Sequence, residues 1–289
     1  MFCMMRYQCS RLFSSKRWLF VLVIDAFLAV AVVLDRKGTV SYLLTKYYIA
    51  APANIWDVPV QMLCADIMMI FILVTAFVFL VGDAFLRDER TGRLPMLVSR
   101  TRNRATWFVS LIPALFLAAV AFVGAAVVIS LGVALLFLPV GWSFSPFLTS
   151  TINQVKSLRP FYFLPNMPLS PPLFFAGLIG YLAPALCGIA LLSVAISIWW
   201  RQTAAVFIPV VWILMVDMSL RGEVMRSSPG GGRFFFSTQL MLIEHWQWAD
   251  SKITAALYPF PVAASVIVFG ILCVIWSALG YFSARYVDL

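Results

Sequence analysis

Charged residues are scarce in this chain of 289 residues, at 11% of the sequence against the roughly 25% that is usual for soluble domains. Hydrophobic residues reach 63%, and the mean hydropathy is +0.96. This composition excludes a soluble globular protein. Several apolar stretches reach the length of about 20 residues that a helix needs to cross a bilayer. The sequence therefore predicts one all-α, polytopic membrane domain over residues 1–289.

Residues that carry out chemistry are few as well. His245 is the only histidine, which excludes HExxH motifs and metal sites built from several histidines. The five cysteines form no CxxC motif, and three of them lie in apolar runs, so we predict neither disulfides nor a metal site. No glycine precedes a lysine, so the GxxxxGK[ST] loop that cradles nucleotide phosphates is absent. We expect no catalytic residue and no cofactor in this chain.

Six apolar stretches are long enough to be membrane spans. They cover approximately residues 18–34, 58–82, 107–138, 173–200, 203–219 and 261–283. The first follows a basic segment, as in a signal peptide, but no small-residue cleavage site precedes Asp35, so we expect an uncleaved helix. Six helices bring both ends of the chain back to the same side of the membrane.

The basic residues indicate which side that is. The chain has 21 Lys and Arg against 12 Asp and Glu, a net charge of +9, which we attribute to the positive-inside bias of membrane proteins and not to nucleic acid. Residues 1–17, 83–106, 201–202 and 284–289 hold 12 of the basic residues in 49 positions, whereas the other connecting segments hold nine in 98. The sequence thus predicts a multi-pass protein of the cell (inner or plasma) membrane with both termini in the cytoplasm.

The N-terminal segment, residues 1–17, has a helical pattern of its own. Met5, Cys9, Leu12 and Phe13 share one side of a helix, with arginines and serines mostly elsewhere. This pattern predicts an amphipathic helix at the membrane interface. A disordered basic leader is the alternative.

Two outer segments differ in character. Residues 139–172 contain seven prolines, which cannot support a long helix and predict an extended or turn-rich cap. Residues 220–260 contain a proline followed by three glycines at 229–232 and after it become aromatic and apolar, with charged residues interspersed. This second segment is too polar to span and too apolar to lie in water, so we predict a re-entrant or interfacial element.

The segment between the second and third spans, residues 83–106, holds six arginines and no lysine. Its acidic and basic run ends at Glu89, Gly92 follows three residues later, and a short apolar face around Leu97 precedes Arg100. This order predicts a short amphipathic helix beginning near a glycine break, with arginines that reach lipid phosphates or the carboxylates of a partner. Lipid binding alone would explain the arginines but not their order.

This loop resembles the coupling loop of ABC-2 type ABC transporter permeases, which has an acidic residue, a Gly-Thr or similar pair, a leucine-rich turn, and Ser-Arg-Pro with further arginines. Arg93 stands where the family often has threonine, and no proline follows Arg100. In outline the resemblance covers the whole chain, through the interfacial helix, the six spans and the apolar element before the last span. The matching loop residues are Glu89, Gly92, Leu97, Ser99, Arg100 and Arg104.

The resemblance implies a permease with an ABC-2 (type V exporter-like) fold that dimerises with a copy of itself or with a second permease subunit. A separate cytoplasmic ATP-binding subunit would hold ATP and Mg²⁺ and would dock on the loop. The cargo would be amphipathic, lipid-like or peptidic, and would pass mainly between the first, second and fifth helices. The residues that would couple to the ATPase are Glu89, Gly92, Arg93, Leu97, Arg100 and Arg104.

Ionisable residues also occur within the spans. Asp25 lies in the middle of the first span, where an unpaired carboxylate costs roughly 2.5 to 3.5 kcal/mol. Thr75 lies at a similar depth on the antiparallel second span, so a hydrogen bond between the two is a hypothesis. Asp25 belongs either to the translocation path or to a helix-packing contact. Asp66 and Asp217, nearer the outer ends, are interpreted as interfacial residues.

Three prolines fall inside the predicted spans, namely Pro113, Pro184 and Pro209. Each should kink its helix, because proline lacks the N–H of the helical ladder. Pro184 lies among several glycines, which predicts close packing or a bend in the fourth span.

Three other functions share parts of this pattern. A polytopic membrane enzyme would need a constellation of His, Asp or Glu at one depth, which the sequence lacks. A secondary transporter would show an internal repeat and paired charges within its spans, and neither is visible. A membrane partner that senses or confers immunity without transport shares the topology and stays an alternative.

Overall fold

The computed structural model describes residues 2–48, 52–65, 67–93, 104–148, 169–217, 219–220, 224, 235–240 and 261–286. No strand occurs within these ranges, and the predicted all-α class is confirmed for them. Among the helical segments, Gln61–Ala65 and Trp212–Asp217 are π-helical and Thr203–Phe207 is 3₁₀-helical. The α-helices are α1 (Phe2–Phe13), α2 (Arg17–Tyr47), α3 (Asp57–Val60), α4 (Ile67–Val81), α5 (Ala84–Arg90), α6 (Arg104–Leu135), α7 (Pro171–Trp200), α8 (Ile208–Val211), α9 (Phe236–Leu240) and α10 (Val262–Tyr286).

Four of these helices are long and apolar enough to cross a membrane, which makes the chain a membrane-embedded helical protein. The stretches concerned are Arg17–Lys46, Thr106–Leu135, Pro171–Trp200 and Val262–Arg285. They have 24 to 30 residues each, which suffices for a hydrocarbon layer about 30 Å thick. They correspond to the predicted first, third, fourth and sixth spans.

The other two predicted spans, residues 58–82 and 203–219, are divided into shorter elements. The first consists of α3, a π-helical segment and α4, and the second of a 3₁₀ helix, α8 and a π-helical segment. Pro209 lies in the first turn of α8, at the end of the 3₁₀ helix, whereas Pro113 and Pro184 lie inside the continuous helices α6 and α7. The count of six spans stays a prediction.

Helix α2 continues beyond the predicted end of the first span and reaches Tyr47. The sequence predicts a loop from Asp35 onward because charged residues begin there, but these charges have partners in the fold. Gln61 Nε2 donates to Asp35 Oδ2 at 2.9 Å, and the buried Arg36 guanidinium lies 4.6 Å from the ring centroid of Phe147. Charges can end an apolar run without ending a helix when neighbouring segments bind them.

Helices α6 and α7 form the centre of the bundle. Helix α6 contacts α1, α2, α7 and α10, and α7 also contacts α10 and the 3₁₀ helix. The α6 side chains Trp107 and Phe108 are fully buried, whereas Phe27 on α2 is 72% exposed and Val274 on α10 is 70% exposed. The exposed apolar faces of α2 and α10 suit contact with lipid tails or with another membrane chain.

The predicted proline-rich cap, residues 139–172, is described only at its two ends. Residues 139–145 are irregular, as expected, and residues 149–168 lie outside the described parts of the chain. Pro171 and Pro172 occupy the first turn of α7, where the missing N–H has no helical partner to lose. The sequence had assigned both prolines to the loop.

The predicted apolar element at residues 220–260 is described mainly through α9. The four residues 237–240 of this short helix are buried, so this part packs inside the protein. Most of the element, with His245, lies outside the described residues, and the re-entrant or interfacial placement stays a prediction.

The Asp57 side chain binds the first part of the proline-rich cap, residues 139–145. Its carboxylate accepts hydrogen bonds from Ser145 Oγ at 2.7 and 2.9 Å and from the Asn54 backbone N–H at 3.0 Å. Nearby, Trp56 Nε1 donates to the Gly141 carbonyl at 2.7 Å. One buried carboxylate thus holds the loop after α6 against the segment before α3.

The burial of Asp57 should make the free energy of unfolding depend on pH. Burial raises the pKa of Asp57 from 3.8 to about 6, and the Arg36 charge and the hydrogen bonds from Ser145 and Asn54 oppose this rise only in part. Between about pH 4 and 6 the folded protein therefore holds this proton while the unfolded chain has released it, so stability should fall as the pH rises through this window. Thermal unfolding midpoints measured from pH 4 to 7 would show the fall.

The matched variant is Asp57→Asn, which cannot titrate. Its unfolding midpoint should lack the part of the pH dependence that Asp57 causes, so its profile should be flatter than that of the wild type. Parallel profiles for the two proteins would assign the dependence to other groups.

Candidate coupling site at the basic end

Helix α1 packs against the protein at the end of the bundle where α1, α5, the start of α6 and the end of α7 meet, which we call the basic end. The helix forms as predicted and contacts α6. Its buried residues are Met4, Gln8 and Leu12, which follow one another at four-residue intervals along one face. Phe13, predicted on the apolar face, is 44% exposed. The face that is covered is therefore the one that meets α6, and it includes a buried glutamine.

Asp88 on α5 is the centre of a first set of contacts. Its side chain is 1% exposed, forms an ion pair with Arg11 of α1 and accepts a hydrogen bond from Trp107 Nε1 of α6 at 3.0 Å. Arg11 Nη1 also donates to the Ala84 carbonyl at 3.3 Å, and the Phe85 ring packs edge-on against Trp107. A single carboxylate thereby joins α1, α5 and α6.

Asp83, immediately before α5, is the centre of a second set. Its two oxygens accept hydrogen bonds from Arg17 at 2.7 and 2.8 Å, and Arg87 Nε lies 2.9 Å from Oδ1. Arg17 also donates to the Phe79 carbonyl at 2.6 Å, and Arg87 donates to the Leu80 carbonyl at 2.9 Å. These carbonyls belong to the last turn of α4, where a helix leaves its acceptors without intrahelical donors.

The basic end thus groups three guanidinium groups with two carboxylates. The side chains of Asp83 and Asp88 are 8% and 1% exposed, and those of Arg11, Arg17 and Arg87 are 11% to 28% exposed. Burial lowers the pKa of Arg87, which the attraction of Asp83 opposes, and an arginine still stays protonated at neutral pH. Because the group is mostly buried, removal of either carboxylate would leave positive charge without compensation.

Helix α5 ends in a tight turn at Gly92. The φ angle of Gly92 is +66°, in the left-handed region that glycine adopts at low cost. The Gly92 N–H donates a hydrogen bond to the Glu89 carbonyl at 3.0 Å. Glu89 Oε1 lies 3.7 Å from Arg201 Nε at the end of α7, and Arg93 is exposed. The turn gives a structural reason for the glycine in the predicted coupling motif.

The remaining predicted coupling residues are Leu97, Ser99, Arg100 and Arg104. The first three lie outside the described residues, and Arg104 begins α6 with a side chain that also lies outside them. The helix that the structure describes in this loop, α5, precedes the glycine, whereas the sequence predicts one that follows it.

The contacts of the basic end join α1, α2, α4, α5, α6 and α7 into one unit. No protein-family model and no curated protein sequence matches this chain. The function is therefore inferred from this unit and from the residue order around Gly92.

The predicted hydrogen bond between Asp25 and Thr75 is absent. Asp25 on α2 is fully buried, and neither of its carboxylate oxygens accepts a hydrogen bond within the described parts of the chain. The Thr75 hydroxyl instead donates to the Phe71 carbonyl, one turn back on its own helix, at 2.9 Å. Threonine in a helix commonly satisfies its hydroxyl in this way, and depth along two helices does not capture that competition. Asp66 lies outside the described residues.

The sequence did not single out the residues that hold the basic end together. Asp83 and Arg87 are four positions apart, a spacing at which charged side chains on a helix meet, and this pair was open to prediction. Arg17 and Asp83 are 66 residues apart, and no spacing rule relates two such positions.

Proposed function

We propose that this chain is the transmembrane subunit of an ATP-driven exporter of the ABC-2 type. It works with a separate ATP-binding subunit, which carries ATP and Mg²⁺, and with a second permease subunit in a homodimer or heterodimer. The protein crosses the cell (inner or plasma) membrane six times, with both termini and the basic end in the cytoplasm. Its cargo is an amphipathic, lipid-like or peptide molecule, and the chain itself is not an enzyme.

The fixation of α5 at the basic end is the observation that supports this proposal most directly. A permease driven by a partner needs a contact point whose displacement reaches the spans. Helix α5 leads into the turn at Gly92, while Asp83 and Asp88 bind it to α1, α2 and α6. A push on this loop therefore moves a connected group of helices as a body, which is one of the standard ways of passing on a conformational change.

The exposure of the loop is a second support. Glu89 is partly exposed and Arg93 is exposed, so both are accessible to a soluble partner. The sequence has no phosphate-binding loop of its own, and energy from ATP has to come from another subunit.

The test is to isolate the chain, tagged at its C-terminus, gently from its native membrane and to identify the proteins that co-purify. A soluble ATPase with a Walker-type phosphate loop is expected with the wild type. Gly92→Ala should weaken its binding about 5- to 30-fold, because a left-handed backbone costs alanine about 1 to 2 kcal/mol. Leu97→Asp, which removes the apolar face of the motif, should reduce capture further.

Gly38→Ala on α2 is the matched control. A Cβ at Gly38 or at Gly92 would meet nothing within 4 Å, and of the two only Gly92 has a positive φ. Gly38→Ala should therefore capture the ATPase as the wild type does. Absence of any ATPase from the wild-type preparation, or equal capture by the two alanine variants, would contradict the proposal and favour a lipid-anchoring loop.

A further inference from the structure

A cavity of about 310 Å³ lies between α7, residues 208–217, α9 and α10. It is distinct from the basic end, and it shares residues 208–217, part of the predicted fifth span, with the path that the resemblance implies. Aliphatic side chains such as Ile189 and Leu192 line part of it, and Pro184 of α7 also lies in its wall. The aromatic residues of its lining are Trp212, Phe236, Phe269 and Trp276.

One ionisable side chain, Asp217, belongs to the described lining of this cavity. The sequence interprets Asp217 as an interfacial residue, and in the structure its side chain is 5% exposed and packs inside the protein. Its two oxygens accept hydrogen bonds from the backbone N–H groups of Phe236 at 3.0 Å and Ser237 at 2.8 Å. These bonds fix the carboxylate at the start of α9 and hold it in the cavity wall.

Among the described residues, the carboxylate of Asp217 has no cationic partner. Within the described residues no lysine, arginine or histidine nitrogen lies within 4 Å of it, unlike Asp83 and Asp88. Two backbone donors occupy about half of the hydrogen-bonding capacity of a carboxylate. A buried charge is costly unless it is paired, and the described residues around this carboxylate supply no positive group to pair with it.

The aromatic side chains that line the cavity are also suited to a cation. Indole and phenyl faces attract cations, and quaternary ammonium groups are commonly recognised by such surroundings. Trp212 is 56% exposed and stands at the rim, whereas Phe269 is fully buried. The backbone from Trp212 to Asp217 is π-helical, a geometry that is frequent at functional sites.

We propose that this cavity binds a small organic cation, an ammonium group on an apolar body, with Asp217 as its counter-ion. The apolar body lies against α7 and α10, and the ammonium group faces the carboxylate and the aromatic rings. The size is appropriate, because a cavity of about 150 Å³ already admits benzene and this one has about twice that volume. The site belongs to this chain alone and does not depend on the exporter proposal.

The test uses two probes of the same shape. Phenyltrimethylammonium carries the cation, and tert-butylbenzene is its neutral carbon analogue. Equilibrium dialysis measures binding of each labelled probe to the full chain in nanodiscs of zwitterionic lipid, with empty nanodiscs subtracted. The wild type should bind the cation at least about tenfold more tightly than the neutral analogue.

Asp217→Asn removes the charge and keeps an oxygen that can accept a backbone hydrogen bond. It should weaken binding of the cation about tenfold or more and change binding of the neutral analogue less than about twofold. Equal cation binding by Asp217→Asn and the wild type, or wild-type binding no greater than that of empty nanodiscs, would overturn the proposal.

A second pair of variants keeps the test decisive should Asp217→Asn fail to fold. Leu192→Trp fills the cavity and leaves Asp217 unchanged in the sequence. This variant should abolish binding of both probes. Leu173→Trp makes the same change on the same helix at a side chain that is 57% exposed, and it should bind both probes as the wild type does. Cation binding that survives in Leu192→Trp would place the ligand elsewhere and overturn the proposal.

Discussion

Replacing Asp88 with alanine is expected to lower the free energy of unfolding by about 3 to 5 kcal/mol. The substitution leaves the buried Arg11 guanidinium without its counter-charge and Trp107 Nε1 without its acceptor. Removing one partner of a buried pair costs more than the pair contributes, because the remaining charge stays desolvated. Chemical or thermal unfolding of the purified protein in a mild detergent, followed by tryptophan fluorescence, measures the loss.

Two further variants separate the loss of the Asp88 charge from the loss of the acceptor for Trp107 and from the loss of a neighbouring carboxylate. Asp88→Asn keeps an acceptor for Trp107 but not the charge, so it should lie between the wild type and Asp88→Ala. Glu89→Ala, at the next position, removes a partly exposed carboxylate that is 3.7 Å from Arg201 and should cost less than about 1 kcal/mol. If the effects at positions 88 and 89 are equal, Asp88 does not organise the basic end.

Gly280→Ala on α10 should also destabilise the protein strongly, by about 3 kcal/mol. A Cβ at this position would come within 2.0 Å of Phe108 Cζ and within 2.4 Å of Cε2. Phe108 is fully buried on α6, so its ring cannot swing away, and α10 has to move off the centre of the bundle. A lowered unfolding midpoint and faster proteolysis within α10 are the expected signs.

Gly270→Ala is the matched control on the same helix. A Cβ at Gly270 would meet nothing within 4 Å, and alanine favours a helix over glycine by about 1 kcal/mol. This variant should be neutral or slightly more stable than the wild type. Loss of stability of similar size in the two variants would mean that glycine is needed along α10 for a reason other than contact with Phe108.

The sequence predicts the membrane class and the long helices because both depend on composition, which is a property of each segment by itself. It is less informative where a segment depends on its neighbours. Asp35 and Arg36 mark the end of an apolar run, yet α2 continues through them because Gln61 and Phe147 supply partners. Residues 203–219 are apolar enough for a span, yet the described residues 203–217 wind as 3₁₀, α and π turns around Pro209.

The residues of the candidate site also include some that the sequence could predict and others that depend on contacts between helices. Gly92 was predicted from its place in a motif, and its positive φ gives that prediction a physical reason. Arg11 and Asp88 were not predicted as partners, because their contact arises only once α1 and α5 pack on α6. The sequence interprets Asp217 as interfacial from its place at the end of the predicted fifth span, and it gives no sign that the backbone N–H groups of α9 bind its carboxylate.

The position of α1 also sets the order in which the protein can mature during synthesis. Arg11 binds the carbonyl of Ala84, 73 residues further along the chain. At about 5 to 20 residues per second, this acceptor leaves the ribosome roughly 4 to 15 s after its donor. Trp107, the other partner of Asp88, follows later still. Helix α1 is thus unable to dock until α6 begins to emerge, and it needs interim protection at the membrane surface.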